Sequence, residues 1–333
     1  MFNAEYQRWL NSSALTEEEH AELVSIANNE EAKALRFTAP MDFGTAGLRS
    51  TMYMGIGSMN RFTVAQTTRG IAALIKSVGG EERGVAIAFD SRNNSEIFAR
   101  VSACVLAGAG IKSYIFNGIR PTPELSFALR ELGCVAGINI TASHNPKEYN
   151  GYKAYWEDGA QIAPEQAKVV SAERSKFDVL DMSGIMDFDE GVQCGLITIL
   201  DEQFDEKMPG VSFAPILRGG ELEGNAHIIM ADEYGPVRMI RTEKWKYIHR
   251  YLDWEGINEL YDLENDPAEA DNLFGKPGYE QITEALRKEL FDWYERHGDE
   301  RYDASKVRCD GNGQIDRIWP RPEKDTDMFR LGS

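Results

Sequence analysis

Positive charge is in short supply: 36 Lys and Arg face 54 Asp and Glu in 333 residues, for a formal charge of −18. Affinity for a nucleic-acid backbone rests on neutralising phosphates with cations, so this balance argues against such a partner. It fits a soluble chain kept apart by self-repulsion. Cysteine is also scarce. Cys104, Cys134, Cys194 and Cys309 are widely spaced and form no CxxC pair, which disfavours a zinc knuckle and a disulfide scaffold. No apolar run approaches the ~20 residues that a membrane helix needs. The first 20 residues have neither a basic nor an apolar signal region, so a secretory leader is not expected. Export, membrane insertion and nucleic-acid binding are set aside, and a cytoplasmic protein of about two domains is expected.

What is present divides near Met208-Pro209-Gly210. Residues 1–207 alternate helix-like and strand-like stretches. A charged, Ala/Leu/Glu-rich start runs roughly from Glu5 to Leu35, with Ser13 and Thr16 as candidate N-caps. After Gly-rich punctuation (Phe43 to Gly57), Thr63 to Val78 carries an apolar period. The spacing predicts buried strands over 84–89, 111–116 and 134–140, a helix over 95–109, and a Pro121–Pro123 turn leading to a helix over 124–132. Buried strands separated by helices predict an α/β fold, a mixed and mostly parallel sheet covered by helices. Residues 208–333 read as a small α+β domain. Its antiparallel strands fall near 227–230, 237–241 and 245–250, followed by an amphipathic helix from about 278 to 297 and a polar tail from about 299.

The segment carrying most chemistry is Thr141-Ala-Ser-His-Asn-Pro-Lys-Glu-Tyr-Asn-Gly-Tyr-Lys153. A Ser on a loop at the carboxyl end of a parallel strand stands where open α/β sheets bind ligands. Asn145 and Pro146 favour a turn that exposes the Ser143 hydroxyl. His144 can move a proton, and Lys153 can neutralise phosphate oxygens. Taken alone, the Ser-His pair reads more readily as a polar strand-to-loop turn carrying a Ser.

That segment resembles the phosphoserine loop of the α-D-phosphohexomutases. Asp42-Phe-Gly-Thr-Ala-Gly-Leu-Arg49, Met59-Asn60-Arg61, Asp90-Ser91-Arg92 and Arg120-Pro-Thr-Pro123 follow in the family's order. The likeness covers residues 1–207, corresponds to the family's first domain, and is nearest the phosphoglucomutase/phosphopentomutase type. It implies that Ser143 is the phosphate carrier, with His144 assisting proton transfer. Arg49, Asn145 and Lys153 would be partners of the phosphate. It also implies Mg²⁺, held at Ser143 only through its phosphate, glucose 1,6-bisphosphate as phosphate donor, and a hexose or pentose phosphate as substrate. The family's Asp-Gly-Asp-x-Asp-Arg metal loop and its Gly-Glu-x-Ser-Gly-His sugar loop do not occur in these 333 residues. Asp310-Gly-Asn-Gly-Gln-Ile-Asp-Arg317 has an amide for the second acid and too long a spacing, and it reads as a solvated turn.

Residues 209–333 resemble the C-terminal region of sulfatases instead. The likeness lies in Ser212-Phe-Ala-Pro-Ile-Leu-Arg-Gly219, Val237 to Tyr247, and Glu259-Leu-Tyr-Asp-Leu-Glu-Asn-Asp-Pro267 with Asp271-Asn-Leu273. Arg241, Lys244 and Lys246 could form an anion patch or serve as ordinary strand-edge charges. The expectation is a chimera: a mutase-like first domain, with little or no turnover, joined to a sulfatase C-terminal fragment. The alternatives are an inactive two-module chain and a sulfatase-related protein without its catalytic domain.

Overall fold

The computed structural model describes residues 2–44, 47–201, 209–222, 224, 226–231, 237–251, 257–298, 303 and 305, and the backbone of 309–310 and 313–314. Met208 at the expected junction, Thr45 and Ala46, most of the tail from 299 and the side chains of 310–317 lie outside the described residues. The chain divides into two compact units, Met1–Gln203 and Phe204–Ser333.

The first unit opens with α1 (Phe2–Leu10), α2 (Glu17–Ser25) and α3 (Glu30–Phe37). Thr16 and Glu19 form a reciprocal capping box at the start of α2. The other candidate cap, Ser13, caps nothing, because Thr16 is the hydroxyl with Glu three residues on. Asn29 caps α3 through the Ala32 N–H at 3.0 Å. Tyr6, Trp9, Leu23 and Phe37 form a satellite core with Phe62. In it the Trp9 ring meets Phe62 edge-on at 5.3 Å.

After β1 (Leu48–Thr51), α4 (Arg61–Ser77) begins at an unusually busy cap. The Asn60 side-chain oxygen accepts from Thr63 N–H at 3.0 Å, while its side-chain nitrogen donates to the Tyr53 and Gly55 carbonyls, each at 2.9 Å. Arg61 grips Glu19 with two nitrogens at 2.6 and 2.8 Å, tying α4 to α2. Met59-Asn60-Arg61 is thus a structural joint.

The remaining elements are β2 (Val85–Phe89), α5 (Ser95–Gly108), β3 (Ser113–Phe116), α6 (Thr122–Glu131) and β4 (Ala136–Ile140), then β5 (Tyr149–Trp156), α7 (Pro164–Arg174), α8 (Phe188–Gln193) and β6 (Ile197–Leu200). The sheet runs β1-β5-β4-β2-β3-β6. β4, β2, β3 and β6 pair in parallel, while β5 is antiparallel to both β4 and β1. This is the mixed, mostly parallel sheet that the sequence predicts. β2 is buried throughout yet asymmetric. Val85, Ile87 and Phe89 enter the large core with α4 and α5, while Ala86 and Ala88 face Leu125 and Leu129 of α6. The predicted Pro121–Pro123 turn is already the start of α6, since proline is tolerated in a first helical turn whose N–H groups have no intrahelical acceptor.

The second unit contains α9 (Ala214–Leu217), β7 (Ile228–Ala231), β8 (Val237–Arg241), β9 (Trp245–Arg250), β10 (Glu259–Asp262) and α10 (Glu280–His297). The last short pair is β11 (Cys309–Asp310) with β12 (Gly313–Gln314). An antiparallel sheet of order β10-β9-β8-β7 packs Ile240, Tyr247 and Leu260 against Leu286 and Leu290 of α10. Lys244 and Lys246 pair with Glu264 and Glu269, each at 2.5 Å, so two of the three cations of the candidate anion patch are matched by nearby acids.

Two outcomes are expected. Asn60→Ala removes a cap worth ~1–2 kcal/mol and strips two buried carbonyls, so urea titration should show the first unit destabilised by about 2–3 kcal/mol. His249 contacts the Tyr247 hydroxyl at 2.9 Å. Burial, then Arg287 and Arg238, hold its pKa below the ordinary 6.5. An unfolded chain takes up that proton as pH falls through 6.5 while the folded one lags, so this stability is present above that pH and lost below it. Hydrogen exchange should show protection of β8 and β9 falling between about pH 7 and 5, and falling less in His249→Gln.

Candidate functional site

Three loops converge at the carboxyl ends of β2, β3 and β4. α5 follows β2 on one face of the sheet and α6 follows β3 on the other, which makes this a topological switch point. A pocket of about 610 Å³ opens there. Its wall includes Asp90 and Arg92 after β2, Arg120 and Thr122 after β3, and Asn139, Thr141, Ser143, Asn145 and Lys147 from β4 and its loop.

The Ser143 loop folds by local bonds. The Thr141 hydroxyl oxygen accepts from Ser143 N–H at 3.0 Å, and Asn145 N–H donates to the Ala142 carbonyl at 3.2 Å. Ser143 itself has φ +59°, a left-handed conformation that disfavours a non-glycine residue by roughly 1–2 kcal/mol. Beneath it, a Cβ on Gly151 would lie 2.6 Å from the Thr141 oxygen and 2.9 Å from that of Leu48. Only glycine lets β1, β5 and the loop base approach so closely.

Arg92 holds the loop in place. One terminal nitrogen donates to the Pro146 and Tyr149 carbonyls at 2.9 and 3.1 Å, and the other to those of Ser143 and Asn145 at 2.8 and 2.7 Å. Its Nε lies 3.3 Å from Asp90. Asp90 in turn accepts from the Arg92 N–H and the Ser95 hydroxyl. Ser95 Oγ receives the Asn150 amide at 2.9 Å. This network lies within or beside Asp90-Ser91-Arg92. The motif was visible in the sequence, whereas the role of Arg92 was not, because its partners are backbone carbonyls.

The predicted residues gather around that loop in two groups. Ser143 and His144 are exposed, with Ser143 Oγ 3.3 Å from His144 Nδ1. Arg49 donates to the Asn145 side-chain oxygen at 3.0 Å. Lys153 stands apart on β5, directly opposite Asn139 of β4, and Arg49 lies opposite Gly151. Side chains on a strand alternate in direction, so Arg49, Lys153 and Asn139 share the sheet face covered by α6. Lys147, Thr122 and Asn139 are pocket residues that sequence reasoning passed over. Lys147 sat unremarked inside the quoted motif.

Chemically, this is a hydroxyl beside an imidazole, with Arg49 and Lys147 at the loop and Lys153 on the same sheet face to balance anionic charge. Thiol chemistry is disfavoured at two of the cysteines: burial pushes Cys134 up to about 12, and burial with Asp187 pushes Cys104 up to about 11. The donors do not suit a resident divalent cation. Among the described residues no three His, Cys, Asp or Glu side chains are grouped to hold a metal ion. Asp90, the carboxylate of the pocket wall, is already engaged by Arg92 and Ser95. No helix among the described residues is long and apolar enough to cross a membrane.

Comparison with known proteins finds two families in succession. Residues 40–178 match the model of phosphoglucomutase/phosphomannomutase alpha/beta/alpha domain I, and residues 185–296 match that of the N-sulphoglucosamine sulphohydrolase C-terminal region. The human phosphopentomutase is 42% identical over 176 residues, covering 50% of this chain and 28% of that protein. A phosphoglucomutase from Staphylococcus saprophyticus is 44% identical over 142 residues, covering 43% of this chain and 26% of that protein. The chain thus spans less than a third of the length of either relative. A solved phosphoglucomutase/phosphomannomutase family protein from Burkholderia thailandensis is 22% identical with a TM-score of 0.37, over 50% of this chain and 33% of that one. The second family match begins inside the first unit, so α8 and β6 fall within it while completing the first unit's sheet. The chain therefore joins a segment similar to domain I of the phosphoglucomutase/phosphomannomutase family to a segment similar to the C-terminal region of N-sulphoglucosamine sulphohydrolase.

Proposed function

We propose that the first module, residues 1–207, is a phosphosugar-mutase module in which Ser143 carries a phosphoryl group exchanged with a hexose or pentose phosphate. The sulfatase-like module, 208–333, takes no part in that chemistry. The observation that carries this reading is the exposed Ser143 hydroxyl, held in a left-handed conformation at the mouth of the switch-point pocket. In the proposed step Ser143 Oγ attacks a phosphorus of glucose 1,6-bisphosphate. The Oγ–P bond forms, the sugar O–P bond breaks, and the Ser143 proton passes to His144 Nδ1. The departing sugar oxygen then gains a proton. Phosphoserine brings about two negative charges, which Arg49, Lys147 and Lys153 balance.

Phosphoryl transfer depends on positioned positive charge, and these residues alone supply less than a mutase with a full metal loop. Interconversion of glucose 1-phosphate and glucose 6-phosphate by this chain should therefore fall far below ~10 s⁻¹, the typical enzyme turnover.

Intact mass and peptide mapping after incubation with glucose 1,6-bisphosphate should place one slow, substoichiometric phosphate on Ser143. Ser143→Ala should abolish the label, and His144→Ala should only slow it. Lys153→Ala should slow it roughly a hundredfold or more, the usual effect of losing one charge-stabilising group. Label persisting in Ser143→Ala, or found mainly on Ser91 or Ser95, would sink the reading.

Arg92 acts through the loop as a positioning residue. Lysine keeps the charge and loses the planar fork. Arg92→Lys should slow labelling about tenfold and, in the same protein, raise amide exchange over 143–149. Unchanged exchange would show that the loop does not depend on this side chain.

A further inference from the structure

We propose that the pocket beside Ser143 reads a ring hydroxyl of its ligand through the side-chain amide of Asn139, an inference that rests on the phosphosugar reading. Asn139 interrupts the apolar β4 run Ala136-Gly-Ile-Asn-Ile140 and is only 1% exposed. Its Nδ2 donates to the Thr122 hydroxyl at 2.8 Å. Its Oδ1 is buried without a partner among the described residues, and the residue lines the pocket. An unmet buried polar atom typically destabilises a fold by about 1–3 kcal/mol, so one in the middle of a strand calls for an explanation. An apolar side chain would serve the sheet equally well, since Asn139 faces Ala88 on β2 across the parallel pair.

The chemistry of the missing partner follows from the amide. Thr122 can either accept or donate, so whichever way the amide is turned, one end is satisfied and the other remains free. A hydroxyl can donate to the free oxygen or accept from the free nitrogen, whereas a fully ionised phosphate ester can do only the second and an ammonium only the first. The exposed Lys147 on the same wall offers charge for a phosphate group. A volume of about 610 Å³ lies within the range of small-molecule sites. The site therefore fits a polyhydroxy ligand that also carries phosphate.

Calorimetric titration of the full chain with glucose 1-phosphate, its monodeoxy analogues and inorganic phosphate tests this. The wild type should bind glucose 1-phosphate about fivefold or more tightly than inorganic phosphate, the margin expected for one hydrogen bond. One deoxy analogue should lose that margin. Asn139→Leu should bind inorganic phosphate unchanged, lose the sugar margin, and no longer distinguish that analogue from the parent sugar. Its unfolding midpoint should match or exceed the wild type's. Ser143→Ala should keep the margin while taking no phosphate label, which separates this inference from the phosphocarrier reading. A margin that survives Asn139→Leu, or a wild type that treats every deoxy analogue like the parent, overturns the proposal and assigns the amide to water.

Discussion

Arg92 donates to four carbonyl oxygens of the Ser143 loop while Asp90 braces it from behind. Backbone carbonyls in a tight loop point in divergent directions, and a planar guanidinium with several donors can meet four of them together. The left-handed Ser143 is held from both directions, its own carbonyl and those that follow by Arg92 and its N–H by the Thr141 hydroxyl. The brace then extends outward, from Asp90 to Ser95 at the start of α5 and from Ser95 to Asn150 on β5. Two strands, one helix and the loop are held in a common frame, so the geometry of the Ser143 hydroxyl is a property of the sheet rather than of the loop.

The second unit is built differently. Its sheet is antiparallel, its core is one aromatic and aliphatic cluster under α10, and Lys244 and Lys246 are matched by nearby acids. Two of its lysines are paired, whereas Arg49 reaches Asn145 and Lys147 stands on the pocket wall beside Ser143. The contrast is why the proposed chemistry is placed in the first unit. That α8 and β6 fall within the second family match yet pair with β3 shows that sequence likeness and packing divide this chain at different places.

Much of the fold could be read from the sequence where burial leaves a one-dimensional mark. The runs around Val85–Phe89 and Ala136–Ile140 are continuous and apolar, and Thr16 with Glu19 spells a capping box. β5 left no such mark. Tyr149–Trp156 mixes Asn150, Gly151 and Lys153 with aromatics, and it becomes a strand because β4 and β1 flank it. β1 was hidden for the same reason inside the Gly-rich punctuation. Ser143, His144, Arg49 and Asn145 were legible as a candidate group through the motif, and the fold brings them around one loop. Asn139 was not, since a single amide in a strand means nothing until its neighbours show which of its atoms is left unmet.

The asymmetry of β2 has a consequence for the breadth of the cleft. Ala86 and Ala88 face α6, and a Cβ on Gly137 beside them would sit 2.6 Å from Leu129. The helix rests on a floor of the smallest side chains available, so its first residue, Thr122, comes down to hydrogen-bonding distance of Asn139. Larger residues at 86, 88 or 137 would act as shims, lifting the helix by its body and parting those two residues without touching either. The bore of this cavity is thus calibrated from the far side of its wall, by methyl groups and a missing Cβ that no ligand ever meets.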